Sequence, residues 1–242
     1  MKPQTISLRH GNEERHASFA VAAEIELQAP AAPLKTLLCE TELAGFNALR
    51  FPLKRQGFLL GRLAAKRALG ALLDEADFRQ IEIRAGVFGQ PLVRHPRAAG
   101  IEVTLSHSHG LAVALAYPGE TPMGVDLETV AAISAGTILG ELQISAAEKV
   151  WLAAGTVDEA TACGVLWTAR EALGKSMKIG LNCPLGILAL DHIESAGAAA
   201  WDCAYANFPQ SRCLSQAIDG RVLSIAMPRE TELHPWPLWF GN

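Results

Sequence analysis

The chain has 242 residues, half of them hydrophobic, with a formal net charge of -4 and five cysteines. That much apolar side chain supports a substantial core and excludes a disordered chain, while the weakly acidic balance argues against a protein that coats nucleic acid. Cys39, Cys163, Cys183, Cys203 and Cys213 are dispersed without CxxC or metal-ligand spacing, no run is long and apolar enough for a membrane, and no apolar leader is visible, so a reduced, cytoplasmic, soluble protein is expected.

Residues 1–30 alternate weakly through Phe19, Val21, Ile25 and Leu27, which suggests one strand. A helix over about 40–50 ends at Phe51-Pro52, because the residue before a proline is pushed out of helical geometry. A second helix follows over 53–73. Leu59, Leu63, Leu69, Leu72 and Leu73 can face a core, leaving Arg55, Arg62, Lys66 and Arg67 for solvent or an anion. Residues 81–84 alternate as a strand, and Gly86 to Pro91 turn the chain. Residues 101–106 and 111–116 read as two strands joined by His107-Ser108-His109-Gly110, whose hydroxyls and imidazoles suit either solvent or an anion.

Turn residues bunch at Tyr117 to Pro122, dividing the chain into halves 1–119 and 120–242. No residue-level repeat is evident between them. Ser145 with Glu148 has capping-box spacing. A helix over 159–177 carries a buried stripe of Ala162, Leu166, Ala169, Leu173 and Met177, with Glu171 and Lys175 spaced as an i,i+4 ion pair on another face. Strands follow over 185–193, 199–206, 212–218 and 222–227, with Asp219-Gly220 a hairpin turn. The tail from His234 to Phe240 is aromatic and proline-rich, fitting an irregular cover or a partner surface.

The segment Met123-Gly124-Val125-Asp126-Leu127-Glu128 organises the second half. On a strand, Val125 and Leu127 enter a core while Asp126 and Glu128 share the opposite face. Two carboxylates on one face repel each other. The repulsion is relieved either by water, as on any solvated strand, or by a cation such as Mg²⁺ held with substrate phosphates.

Gly89-Gln90-Pro91, Leu105-Ser106-His107-Ser108, Gly124-Val125-Asp126-Leu127-Glu128 and Trp167-Thr168-Ala169-Arg170-Glu171-Ala172 with Lys175 form an ordered set. That set, with the helix over 58–69, resembles the phosphopantetheinyl transferases of the large, pseudo-dimeric type, which activate carrier proteins. The resemblance spans residues 55–181, with Gln90 and Arg170 standing where the family usually has Lys. It implies an α+β fold of two similar halves, each a small antiparallel sheet packed with a long helix in a pseudo-twofold arrangement, coenzyme A lying between them. It further implies Mg²⁺ on Asp126, Glu128 and Glu171, with Glu171 or a water it orients taking the proton of a carrier serine.

Lys175 would then neutralise the pyrophosphate, and His107 would donate to a phosphate oxygen. Gly89, Gln90, Pro91 and Ser106 would lie along the nucleotide, while Arg55 and Arg62 would either meet the 3'-phosphate or serve only as surface. The implied partners are coenzyme A and an apo carrier protein, with no nucleic acid and no membrane, and the chain would act as a monomer. Two other readings compete: a non-catalytic coenzyme A or nucleotide-binding module, and a Mg²⁺-dependent phosphohydrolase.

Overall fold

The computed structural model describes residues 1–27, 34–132, 140 and 142–236. The chain forms two units, Met1–Thr121 with the C-terminal segment from Glu232, and Pro122–Thr231. Each is α+β, an antiparallel sheet carrying a long helix.

The first unit opens with a hairpin where the sequence suggested a single strand. β1 (Gln4–His10) and β2 (Glu13–Ala23) pair antiparallel about Gly11, whose φ of 58° suits the turn. The alternation of β1 is short, with only Ile6 and Leu8 entering the core, so its signal is faint. Short helices α1 (Glu24–Leu27), α2 (Leu34–Leu37) and α3 (Glu40–Ala48) follow. Pro52 then occupies the first turn of α4 (Pro52–Leu73), where its missing N–H costs nothing.

β3 (Glu82–Ala85) and β4 (Pro91–Arg94) make a small hairpin. β5 (Ile101–Ser108) and β6 (Leu111–Pro118) are longer than the sequence suggested. His109 and Gly110, with φ of 42° and 77°, close them as a two-residue turn, so His107 lies in a strand and not at a tip. The sheet order is β12-β1-β2-β6-β5. Leu60, Ala64, Ala65, Ala68 and Leu69 of α4 pack on Ala20, Ala22, Val103, Ala112, Ala114 and Ala116 of the strands. Small residues on both sides let the helix sit close to the sheet.

In the second unit β7 (Gly124–Thr129) leads to α5 (Ala146–Ala153) and α6 (Glu159–Ser176). Ser145 accepts the Glu148 N–H and Asp158 accepts the Thr161 N–H, fixing both helix starts. β8 (Leu190–Gly197), β9 (Ala200–Tyr205), β10 (Ser211–Ile218) and β11 (Arg221–Pro228) complete a sheet of order β7-β11-β10-β9-β8. Residues 185–188, expected as strand, form a 3₁₀ turn between Pro184 and Ala189, because Pro184 and Gly186 favour turning over extension. Val165, Leu166, Ala169, Ala172 and Leu173 of α6 pack on Trp201, Cys203, Tyr205, Cys213, Val222 and Ala226.

β12 (Thr231–His234) returns to the edge of the first sheet, so this strand does not belong with the half that precedes it. A strand's period-2 pattern does not say which sheet it will join. The end of the aromatic tail, 237–242, lies outside the described residues. All five cysteines are free thiols. Among the described residues no helix is long and apolar enough to cross a membrane.

Candidate active site

β7 and α6 approach each other more closely than side chains normally permit. A Cβ at Gly124 would stand 1.9 Å from the Ala172 carbonyl oxygen and 2.6 Å from the Ser176 nitrogen, so only glycine fits. The same closeness recurs at the helix end, where a Cβ on Gly174 would stand 2.1 Å from the Gly180 oxygen. Gly180 and Ile179 both donate to the Gly174 carbonyl, ending α6 just beyond Lys175. The helix C-terminus therefore holds a cation, as its dipole favours.

The face of β7 is set by its register. Asp126 lies opposite Ser224 on β11, and directly opposed residues share a face. The Ser224 hydroxyl is 2.7 Å from Thr168 Oγ1 of α6 and 2.7 Å from the Ser215 hydroxyl, so this face looks at the helix. Asp126 is accordingly 1 % exposed. Val125 and Leu127 on the opposite face are buried too, so β7 has no solvated acidic face.

Lys175 Nζ donates to Asp126 Oδ1 at 2.6 Å and lies 3.7 Å from Glu171 Oε2. Glu128 is half-buried and its charge acts on both α6 side chains. Burial, then the charges of Asp126 and Glu128, push the Glu171 carboxyl up to about 7, although Lys175 pulls the other way. Burial works to lower the Lys175 ammonium, but Asp126, Glu171 and Glu128 outweigh it and the net direction is upward. One lysine thus answers three carboxylates. The expected i,i+4 pair is real, but its shorter contact is to a strand residue 49 positions away.

The donor chemistry of Asp126, Glu128 and Glu171 fits Mg²⁺, which takes hard carboxylate oxygens. So does their mutual repulsion, which a divalent cation would relieve. Their arrangement is closed around the ammonium, however. Among the described residues no three His, Cys, Asp or Glu side chains are grouped to hold a metal ion.

In the first unit, His107 packs its ring against Gly57 of α4, where a Cβ would stand 3.0 Å from both Cε1 and Nε2. Ser106 is buried beside it in sequence, while His107 itself is exposed. The Gly89-Gln90-Pro91 turn is tightened from within. Gly86 N–H donates to the Gln90 carbonyl at 2.7 Å and Phe88 N–H donates to Gln90 Oε1 at 2.9 Å, with Gly89 at φ 81°.

The basic residues of α4 differ from expectation. Arg55 lies 4.0 Å over the Phe46 ring and donates to the Leu49 carbonyl at 3.3 Å. Arg62 pairs with Glu42 at 3.0 Å, donates to the Ile83 carbonyl at 3.1 Å and stacks on Phe58. Lys66 is fully buried, bound to Glu42 and to the carbonyls of Leu37 and Phe78 at 2.8 and 2.9 Å. Arg67 holds Glu26 at 2.7 Å and the Val21 carbonyl at 3.0 Å. The anions that Arg62, Lys66 and Arg67 answer are internal glutamates, whereas Arg55, like the exposed Lys54 over the Phe51 ring, rests on an aromatic ring.

A residue-level echo between the units emerges once these partners are known. Ala65-Lys66-Arg67-Ala68-Leu69-Gly70 and Ala169-Arg170-Glu171-Ala172-Leu173-Gly174 agree at four of six positions. Arg170 is fully buried against Glu148 at 2.8 Å and also donates to the Leu166 and Leu185 carbonyls. Glu148 accepts the N–H groups of Ser145 and Leu190 at 2.7 and 2.9 Å. Glu42 likewise accepts the N–H groups of Cys39 and Ile83, both at 3.2 Å.

Each unit therefore ties a short helix, a long helix and a strand through one buried glutamate and one buried cation. At the next position the units diverge, Arg67 closing on Glu26 in one and Glu171 joining a carboxylate cluster in the other. Glu42 and Glu26 carry this architecture although nothing in the sequence pattern marked them, and Gly124, quoted there within its motif, proves to be the point of closest strand–helix approach. A cavity of about 590 Å³ lined by Trp151, Asp158, Thr161 and Trp201 opens at the other end of α6, about 20 Å from Glu171 by helical rise, and has no part in this cluster.

No protein-family model and no curated protein matches the sequence. Among solved structures the chain is similar to a holo-(acyl-carrier-protein) synthase from Bacillus anthracis str. Ames in complex with CoA (3',5'-ADP). That match has 20% identity and a TM-score of 0.37, covering 48% of this chain and 96% of that one. It is similar to the holo-[acyl-carrier-protein] synthase AcpS of Neisseria meningitidis at 19% identity and a TM-score of 0.36, over 42% of this chain and 94% of that one. The holo-ACP-synthase of Plasmodium yoelii matches at 18% identity and a TM-score of 0.37, over 48% and 96%. The structural neighbours of this chain are thus holo-(acyl-carrier-protein) synthases, each matched over nearly its whole length by about half of this chain.

Proposed function

We propose that this protein transfers the 4'-phosphopantetheine group of coenzyme A to a serine of an apo carrier protein, releasing adenosine 3',5'-bisphosphate. The observation that carries this reading is the convergence of Asp126 on β7 with Glu171 and Lys175 on α6, in the ordered motif context of Gly124 to Glu128 and Trp167 to Lys175.

The chemistry needs a base near neutrality and positive charge at a pyrophosphate. Glu171, beside Lys175 in the carboxylate cluster, is the candidate to accept the serine hydroxyl proton, directly or through a water it orients. The serine oxygen bonds to the phosphorus next to pantetheine as the bond from that phosphorus to the bridging oxygen breaks, and the leaving nucleotide keeps the electron pair. Lys175 is close enough to the cluster to donate to pyrophosphate oxygens, and Gly124 keeps it there. Asp126 and Glu128, with Glu171, would hold Mg²⁺, which when bound supplies the charge that lets anionic groups approach one another.

His107 and the turn at Gly89, Gln90 and Pro91 would meet the nucleotide, with Arg55 the remaining candidate for its 3'-phosphate. Arg62, engaged with Glu42, is withdrawn from that role. A monomer in the cytoplasm that takes coenzyme A and an apo carrier protein as substrates completes the proposal.

The test is to incubate the protein with apo carriers of several pathways, coenzyme A and Mg²⁺, and to weigh the carriers. A phosphopantetheine mass increment on a carrier, dependent on Asp126 and Glu171, is the expected result. Release of phosphate with every carrier unmodified would replace this reading with hydrolysis.

A further inference from the structure

We propose that Lys175 is the resident counter-ion of the carboxylate cluster and competes with a divalent cation for Asp126, so that metal entry is an exchange in which the ammonium leaves. The proposal deepens the transferase reading and rests on its assignment of Asp126, Glu128 and Glu171 to the metal.

The donors suit a divalent ion, yet they are drawn onto an ammonium. Lys175 Nζ is 2.6 Å from an oxygen of a residue that is 1 % exposed, and 3.7 Å from Glu171. A divalent ion bound by the same carboxylates would stand within a few ångströms of that ammonium, and in a buried setting like charges so close repel strongly. The two cations therefore exclude each other.

The lysine is also built to leave. Its side chain is 24% exposed, its stem is flexible, and a compact ammonium is readily hydrated, whereas an arginine fork would be fixed by its geometry. Asp126, by contrast, stays on a strand pinned between β11 and α6. Exchange moves one long side chain and no backbone.

The experiment titrates Mn²⁺ into the full chain without coenzyme A at fixed neutral pH, reading free Mn²⁺ by electron paramagnetic resonance. Lys175→Met should bind Mn²⁺ about tenfold or more tighter than the unaltered chain, because the competitor is gone. Lys175→Arg, which keeps a cation, should show no such gain, and adding Asp126→Asn to Lys175→Met should abolish it. Unchanged or weaker Mn²⁺ affinity in Lys175→Met would overturn the exchange, as would a gain that survives Asp126→Asn.

Should Lys175→Met not fold, lysine side-chain NMR of the unaltered chain decides. The Lys175 Cε resonance should move as Mg²⁺ saturates, and a stationary resonance with Mg²⁺ bound overturns the proposal. Carrier modification is measured separately. Transfer with no affinity gain would sink the exchange alone, and an affinity gain with no transfer to any carrier would sink the transferase alone.

Discussion

Gly124 and Ala172 meet so closely that a methyl group between them would fall 1.9 Å from the Ala172 carbonyl oxygen. This contact presses β7 onto α6 and brings Asp126 within reach of Lys175. Gly124→Ala should therefore cost stability, at least the roughly 1–3 kcal/mol typical of overpacking, since the obstacle is backbone and cannot rotate aside. Urea denaturation measures that cost, and carrier modification should fall more steeply than stability because helix and strand must part. An unperturbed Gly124→Ala protein would mean the approach is not obligatory.

Asp126→Asn and Glu171→Gln preserve shape while removing charge. Each should lower transfer by at least about 10²-fold, the scale on which electrostatic groups act in catalysis. Circular dichroism and melting temperature should stay near those of the unaltered chain. Turnover close to normal in either variant would remove that residue from the reaction.

Raising Glu171 to about 7 has a consequence for stability against pH. Below the unfolded carboxyl value near 4.5 the group is protonated in both states and costs nothing. As pH climbs from there to about 7, the unfolded chain ionises while the folded chain holds its proton, so stability falls across this window and levels off above it. Denaturation in chelator between pH 5 and 8 should reveal the decline, and Glu171→Gln should flatten it.

The fully buried Arg170–Glu148 pair joins α5, α6 and β8. Arg170→Ala would leave Glu148 charged and buried, a loss on the order of 3–5 kcal/mol. Arg170→Lys should lose less, keeping the charge but not all the hydrogen bonds to Leu166 and Leu185. Chemical denaturation of both variants checks the order.

The first unit's Glu26 offers a contrast in sign. Burial opposes its charge, but hydrogen bonds from Arg67, the Ala23 N–H and the N-terminus prevail and hold the carboxyl down to about 2. Its contribution is thus present above pH 4.5 and lost as pH falls toward 2, and Glu26→Gln should remove that acid-limb loss from pH-dependent denaturation.

Sequence alone determined the elements whose cause is local. Pro52 starts one long helix, Asp158 caps the other and Asp219-Gly220 turns a hairpin. These follow from backbone preferences and periodicity within a few residues. What only the tertiary structure decided is which charges lie inside and whom they face. A helical pattern marks Lys66 and Arg170 as cations beside an apolar stripe, yet their glutamates sit 24 and 22 positions away, and burial of such a cation is tolerable only once that partner arrives. Lys175 likewise finds Asp126 across 49 residues of chain, through a strand–helix contact that a missing side chain makes possible.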